Sequence, residues 1–178
     1  MEIAKTVRLY DQDAYATEFE AEVLACEEVE KKEGKVYQVW LDQTLFFPEE
    51  GGQSPDMGTI DGIKVLDVQI KDEVITHTLA APLAVGTTGK GVVDWKHRFY
   101  NMQQHSGEHI FSGIVHNRFG YDNVGFHLSD SIVTMDFNGV ITAEDIEKIE
   151  NEVNQAIIDN IPVEVSYPTK EELKVLEY

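Results

Sequence analysis

The spacing of apolar positions divides the chain near residue 93. Before it, apolar residues alternate or cluster in short runs rich in β-branched and aromatic side chains, and residues 6–10, 19–29 and 36–41 read as strands. The charged run 27–34, closing on Gly34, reads as a turn. Ile60-Asp61-Gly62-Ile63 is an Asp-Gly hairpin signal, followed by Ile63, Val65 and Asp67 alternating against Leu66, Val68 and Ile70. Residues 74–79 predict a further strand, and 82–91 a turn-rich return into Val92-Val93. From Asp94 the period becomes helical. Phe99, Met102, Ile110, Phe111, Ile114 and Val115 fall on helical spacing, Asp94 can cap the start, and Phe119-Gly120 offers a stop. Residues 124–137 read as one or two strands. Thr142 opens a second helix whose stripe of Ile146, Ile149, Val153, Ala156 and Ile157 is assigned to the core. Residues 161–167 predict a short strand, and Thr169 with Glu172 makes a capping box for a last helix. The pattern predicts a β-rich unit packed against a unit that mixes helix and strand.

One stretch fits no regular element. Residues 44–58 carry two prolines and three glycines, which stop helix and strand alike. Aromatic Phe46-Phe47 leads in, and the Gly51-Gly52 pair lets backbone approach a neighbour closely. Such a loop serves a site or a tight structural turn equally well.

Composition narrows the function. The 178 residues are 42% hydrophobic and 26% charged, ordinary for a globular protein with one large core or two small ones. No apolar run approaches the roughly 18–20 residues of a membrane span, and the first residues lack the apolar core of a signal peptide. The single cysteine, Cys26, excludes an internal disulfide and fits the reducing cytoplasm. Fourteen basic against 33 acidic residues leave a net charge of −19, which repels polyanions in general. The best candidate for a local contact with RNA is the basic patch at Lys90, Lys96, His97 and Arg98, which serves equally as a solvated helix entry.

The candidate chemistry lies in Gln103–His109. His105 and His109 are four apart, so a helix projects both imidazoles from one face, where they can share a metal ion at roughly 2.0–2.1 Å. Taken alone, the pair serves equally as ordinary polar residues of a half-exposed helix.

Loop and helix together resemble the editing domain of alanyl-tRNA synthetase and the freestanding alanyl-tRNA editing proteins. That family carries a threonine followed by a Phe-Tyr-Pro-Glu-x-Gly-Gly-Gln-x-x-Asp-x-Gly loop. Here stand Thr44, then Phe46-Phe47-Pro48-Glu49-Glu50-Gly51-Gly52-Gln53, Asp56 and Gly58. Its Asp-Trp-x-x-Arg lead-in matches Asp94-Trp95-Lys96-His97-Arg98, and its His-x-x-x-His matches His105 and His109. The resemblance implies an α+β fold in which a small β-barrel unit (1–92, carrying the Gly-rich loop) packs on a two-layer α/β editing unit (93–178). It implies hydrolysis, without ATP, of the ester in tRNA(Ala) mischarged with serine or glycine. In that scheme zinc sits on His105 and His109, Gln53 positions substrate and water, and Gly51 and Gly52 belong to the substrate-binding loop. Thr44 lines the amino-acid pocket, where its hydroxyl favours serine over alanine.

Two departures matter. The family completes its zinc site with a later Cys-x-x-x-His, and no cysteine follows Cys26 here. The expectation is a shortened chain with a truncated editing unit and an incomplete zinc site, for which His127 and Glu108 are the candidate substitute ligands. Glu50 stands where relatives often carry a small residue and adds charge beside the pocket. The pattern His105-Ser106-Gly107-Glu108-His109 also fits the inverted zinc peptidases and the S-ribosylhomocysteine lyases. The peptidases are much larger, and the lyases lack the Pro-Glu-x-Gly-Gly-Gln loop. The non-enzymatic alternative is a relative without a full metal site that binds tRNA or another protein.

Overall fold

The computed structural model describes residues 3–32, 34–129 and 132–176. Along them run β1 (Val7–Arg8), a 3-10 turn at Leu9–Asp11, β2 (Glu18–Lys31), β3 (Gly34–Leu41), β4 (Gln43–Thr44), β5 (Gly58–Ile60), β6 (Ile63–Lys71), β7 (Val74–Leu79) and β8 (Thr88–Val93). Then follow α1 (Trp95–Phe119), β9 (Asn123–Leu128), β10 (Val133–Phe137), α2 (Ala143–Ile158) and the single turn α3 (Lys170–Leu173).

Six of the strands form one antiparallel sheet in the order β2-β3-β7-β6-β5-β8, closed by pairing of β8 back onto β2. Long strands make the closure by changing partner along their length. Glu18 to Glu22 of β2 pair with β8, and from Val23 onward β2 pairs with β3, across a register shift between Val23 and Ala25. β6 likewise pairs with β5 through Ile63–Val65 and with β7 beyond. Alternation along β2 explains its orientation: Phe19, Ala21, Val23 and Ala25 are buried, while Glu18, Glu20 and Glu22 face water. Inside sit Val23, Val39, Leu41, Phe46, Ile60, Val65, Val68, Ile75 and Leu79, none more than 2% exposed. Each such side chain stabilises the fold by roughly 1.5–3 kcal/mol. At the Asp-Gly hairpin between β5 and β6, Asp61 and Gly62 take φ of 50° and 77°, the left-handed pair a type I′ turn requires.

α1 starts where Asp94 accepts from the backbone N–H groups of Lys96 (3.0 Å) and His97 (3.2 Å). It ends at Gly120, whose left-handed backbone (φ 68°) donates to His116 O. α2 packs on α1, and Val115 on α1 and Ile149 on α2 are both fully buried. No helix among the described residues is long and apolar enough to cross a membrane.

The fold class expected from the resemblance needs correction. The chain is a mixed α+β fold in which the six-stranded antiparallel sheet is the one large sheet, and no two-layer α/β unit forms beside it among the described residues. β9 and β10 pair with each other, with Leu128 of β9 also bridged to Gln53 of the loop, and residues 161–167 form no strand. Alternation along 161–167 gives a strand one apolar face, but a strand also needs a neighbouring edge to pair with, and among the described residues none pairs with it. Two smaller expectations also change. Residues 6–10 become a two-residue strand and a 3-10 turn, and the α2 stripe is half used: Ile149 is buried whereas Ile146 and Ile157 are exposed.

Candidate metal-binding and substrate site

The loop at 45–57 is held by its own ends. Phe47 N–H donates to the Asp56 carboxylate (2.6 Å), and Asp56 N–H donates back to Phe47 O (2.9 Å). Arg98, on the first turn of α1, clamps this pair. Its Nε donates to both Asp56 oxygens at 2.9 Å, and its Nη atoms donate to Asp56, Leu45 O (2.5 Å) and Ala14 O (2.8 Å). Both charged groups are almost wholly buried. One guanidinium therefore joins the loop, the N-terminal segment and α1, using the fork geometry a lysine lacks. This corrects the expected role of Arg98 as an RNA contact: its donors are spent inside the protein. Lys90 and Lys96 do lie on the surface, with Lys90 paired to Glu18 at 2.7 Å.

Beyond the clamp the loop turns tightly. Gln53 N–H donates to Glu50 O (3.0 Å), with Gly51 and Gly52 at φ of 60° and 81° between them. Gly52 O accepts from Leu128 N–H (2.9 Å), so the turn is stitched to the end of β9. A Cβ on Gly52 would lie 2.3 Å from Phe126 O, so the close approach requires glycine.

This seam delivers Gln53 to the helix. Its side chain is 6% exposed, and Oε1 accepts from His105 Nδ1 at 2.6 Å. The bond fixes the tautomer with the proton on Nδ1 and leaves Nε2 as the lone-pair nitrogen. His105 stacks on His109 (centroids 5.0 Å apart, planes 10° apart) and leans on Phe126. Burial is the main cause that lowers the His105 pKa, reinforced by His109 and opposed by Glu108. A neutral imidazole with a free nitrogen is the form that ligates a metal.

Glu108 shares this face. Ligand atoms of His105, Glu108 and His109 lie within 4.8 Å of one another, a grouping His127 does not join. Glu108 Oε1 accepts from Ser112 Oγ (2.5 Å) and Asn123 Nδ2 (2.7 Å), tying α1 to β9, while Oε2 stands 3.6 Å from His109 Nδ1. The donor set thus fits a divalent cation at two imidazoles, with one already engaged carboxylate beside them.

Thr44 is placed elsewhere. It is fully buried, its hydroxyl bonded to His77 Nε2 (2.9 Å) and to Phe46 N–H (3.0 Å). Sequence reasoning passed over His77, whose position on a strand face gave no sign of its partner 33 residues away. It also left Asp56 without a role although it stands in the quoted loop, and Asn123 carried no signal at all.

Residues 2–97 match the family model described as tRNA synthetases class II (A). The chain is 38% identical over 165 residues to Alanyl-tRNA editing protein Aarsd1 from Bos taurus, covering 86% of this chain and 37% of that protein. It is 35% identical over 163 residues to Alanyl-tRNA editing protein AlaX-L from Pyrococcus horikoshii, covering 88% and 39%. With Alanine--tRNA ligase of Pyrococcus furiosus it shares 33% over 171 residues, covering 89% of this chain and 18% of the ligase. The chain therefore spans under half the length of these relatives. Loop, helix and likeness agree, and the chain belongs to the class II (A) tRNA synthetase family, as a homologue of the alanyl-tRNA editing proteins.

Proposed function

We propose that this chain is a binding relative of the editing hydrolases, receiving the aminoacylated end of tRNA(Ala) charged with serine or glycine at a site whose metal centre is incomplete. The observation that carries this reading is Glu108. Catalytic zinc uses three protein ligands and one open position. Here two imidazoles stand ready, and the third group is buried with Oε1 committed to Ser112 and Asn123. A bound zinc would supply Lewis acidity and an activated water. The residues themselves do the rest: Gln53 orients His105, Gly51 and Gly52 bring backbone beside the bound group, and Lys90 and Lys96 offer phosphate contacts on an otherwise acidic surface. The nucleotide would lie along the seam between residues 1–92 and 93–178, in the cytoplasm, which the lone Cys26 fits. Thr44 supports the start of the loop through His77 rather than touching substrate.

A second reading, trans-editing hydrolysis of Ser- or Gly-tRNA(Ala), draws on the Gln53–His105 bond, which resembles the outer contacts that orient metal ligands. One experiment separates the two. Deacylation of Ser-tRNA(Ala) and Ala-tRNA(Ala) is followed with added zinc, for wild type and His105→Ala. The binding reading expects equal, background rates for both proteins and substoichiometric zinc after dialysis. Zinc-dependent loss of serine by wild type alone establishes the hydrolase instead.

A further inference from the structure

The turn that carries Gln53 also roofs a cavity of about 270 Å³ lined by Glu49, Gln53, Ser54, His127, Leu128 and Ser129. Its size suits a group of a few heavy atoms, below the usual range of drug-sized pockets. Gln53 belongs to its wall and bonds His105, so a single side chain links the cavity to that imidazole. No lysine or arginine lines it, and Glu49 gives it a negative wall. Glu49 is held in place: its N–H donates to Val68 O (2.9 Å) and its Oε2 accepts from Gln69 Nε2 (2.7 Å). The other oxygen, Oε1, takes no hydrogen bond among the described residues. Ser54, Ser129 and His127 add polar groups to the cavity wall.

We propose that this cavity is the subsite for the α-ammonium group of the aminoacyl moiety, with Glu49 as its counter-ion. The proposal rests on the reading above, that an aminoacylated nucleotide enters the site. Every unblocked aminoacyl ester carries a cation next to its carbonyl, and a carboxylate in a cavity free of other cations selects for it. The subsite reads the free amine, leaving side-chain choice to other contacts.

The test uses the whole chain and two stable probes: adenosine bearing a 3′-seryl amide, and the same compound acetylated on its amino nitrogen. Binding is measured by calorimetry for wild type, Glu49→Gln and, as an exposed control on α2, Glu150→Gln, each checked for unchanged melting temperature. The expected result is binding of the free amine about tenfold tighter than the acetylated probe by wild type and Glu150→Gln, and loss of that preference in Glu49→Gln. Equal affinity of wild type for both probes, or an undiminished preference in Glu49→Gln, overturns the subsite while leaving the binding reading intact. Failure of wild type to bind either probe overturns both.

Discussion

A single buried guanidinium decides whether the site exists. Arg98 serves Asp56, Leu45 O and Ala14 O at once, so removing Asp56 leaves a cation in the interior without its counter-charge. Asp56→Ala is expected to lower the unfolding free energy in denaturant by about 3–5 kcal/mol, the range for breaking a buried pair. Arg98→Lys should lose most of the same amount, because one ammonium cannot reach all these acceptors. His77 sets a pH dependence of its own. Burial holds its pKa down to about 4, against a weaker raising bond to Val39 O. Between the unfolded value near 6.5 and about 4, the unfolded chain binds a proton the folded one refuses, so stability falls as pH drops. The loss begins near pH 6.5 and levels off below about 4, amounting to roughly 3 kcal/mol. In His77→Gln, which keeps an acceptor or donor for Thr44, the slope of stability against pH over that window should flatten. An unchanged slope would mean other groups carry it.

The loop and β9 act as one element through Gly52. Gly52→Ala combines a φ of 81° with a Cβ 2.3 Å from Phe126 O, and should destabilise by about 1–3 kcal/mol. It should also push Gln53 off His105 and weaken zinc binding about 10–100-fold in a competitive titration. Gly51→Ala carries the same left-handed backbone (φ 60°) but meets open space, so it should cost about 1–2 kcal/mol and leave zinc affinity alone. Equal loss of zinc in both variants would show that the contact with Phe126 is not the link. Such distinctions show where sequence reading stops. The bounds of α1 were legible because Asp94 and Gly120 act on their own neighbours, and so was the turn at Asp61-Gly62. The histidine pair was legible because i and i+4 meet on any helix. Arg98 was not, since its partner lies 42 residues away and a basic residue at a helix start reads as solvated. The partner of Thr44 was hidden for a similar reason: nothing near a hydroxyl before the loop signals that His77 lies against it.

At the scale of the molecule, the closed sheet and the C-terminal part differ in how much apolar surface they cover. Val163, Val165 and Tyr167 are 87%, 77% and 70% exposed, and Ile158 at the end of α2 is 74% exposed. Alternation has given residues 161–167 an apolar face, yet no described residue packs on it strongly enough to remove it from water. Single exposed apolar residues are ordinary, but a row of them binds hydrophobic dyes and favours association. The net charge of −19 opposes association, and salt weakens that opposition by shortening the Debye length to about 10 Å at 0.1 M. Raising salt should therefore increase the sedimentation coefficient of wild type. Replacing Val163 and Val165 together by threonine should reduce both dye fluorescence and the salt effect. The same replacement should shift stability by no more than about 0.5 kcal/mol, as for surface positions generally. A larger loss of stability in that variant would mean that the two valines are covered in solution, and that residues 161–167 contribute to the core after all.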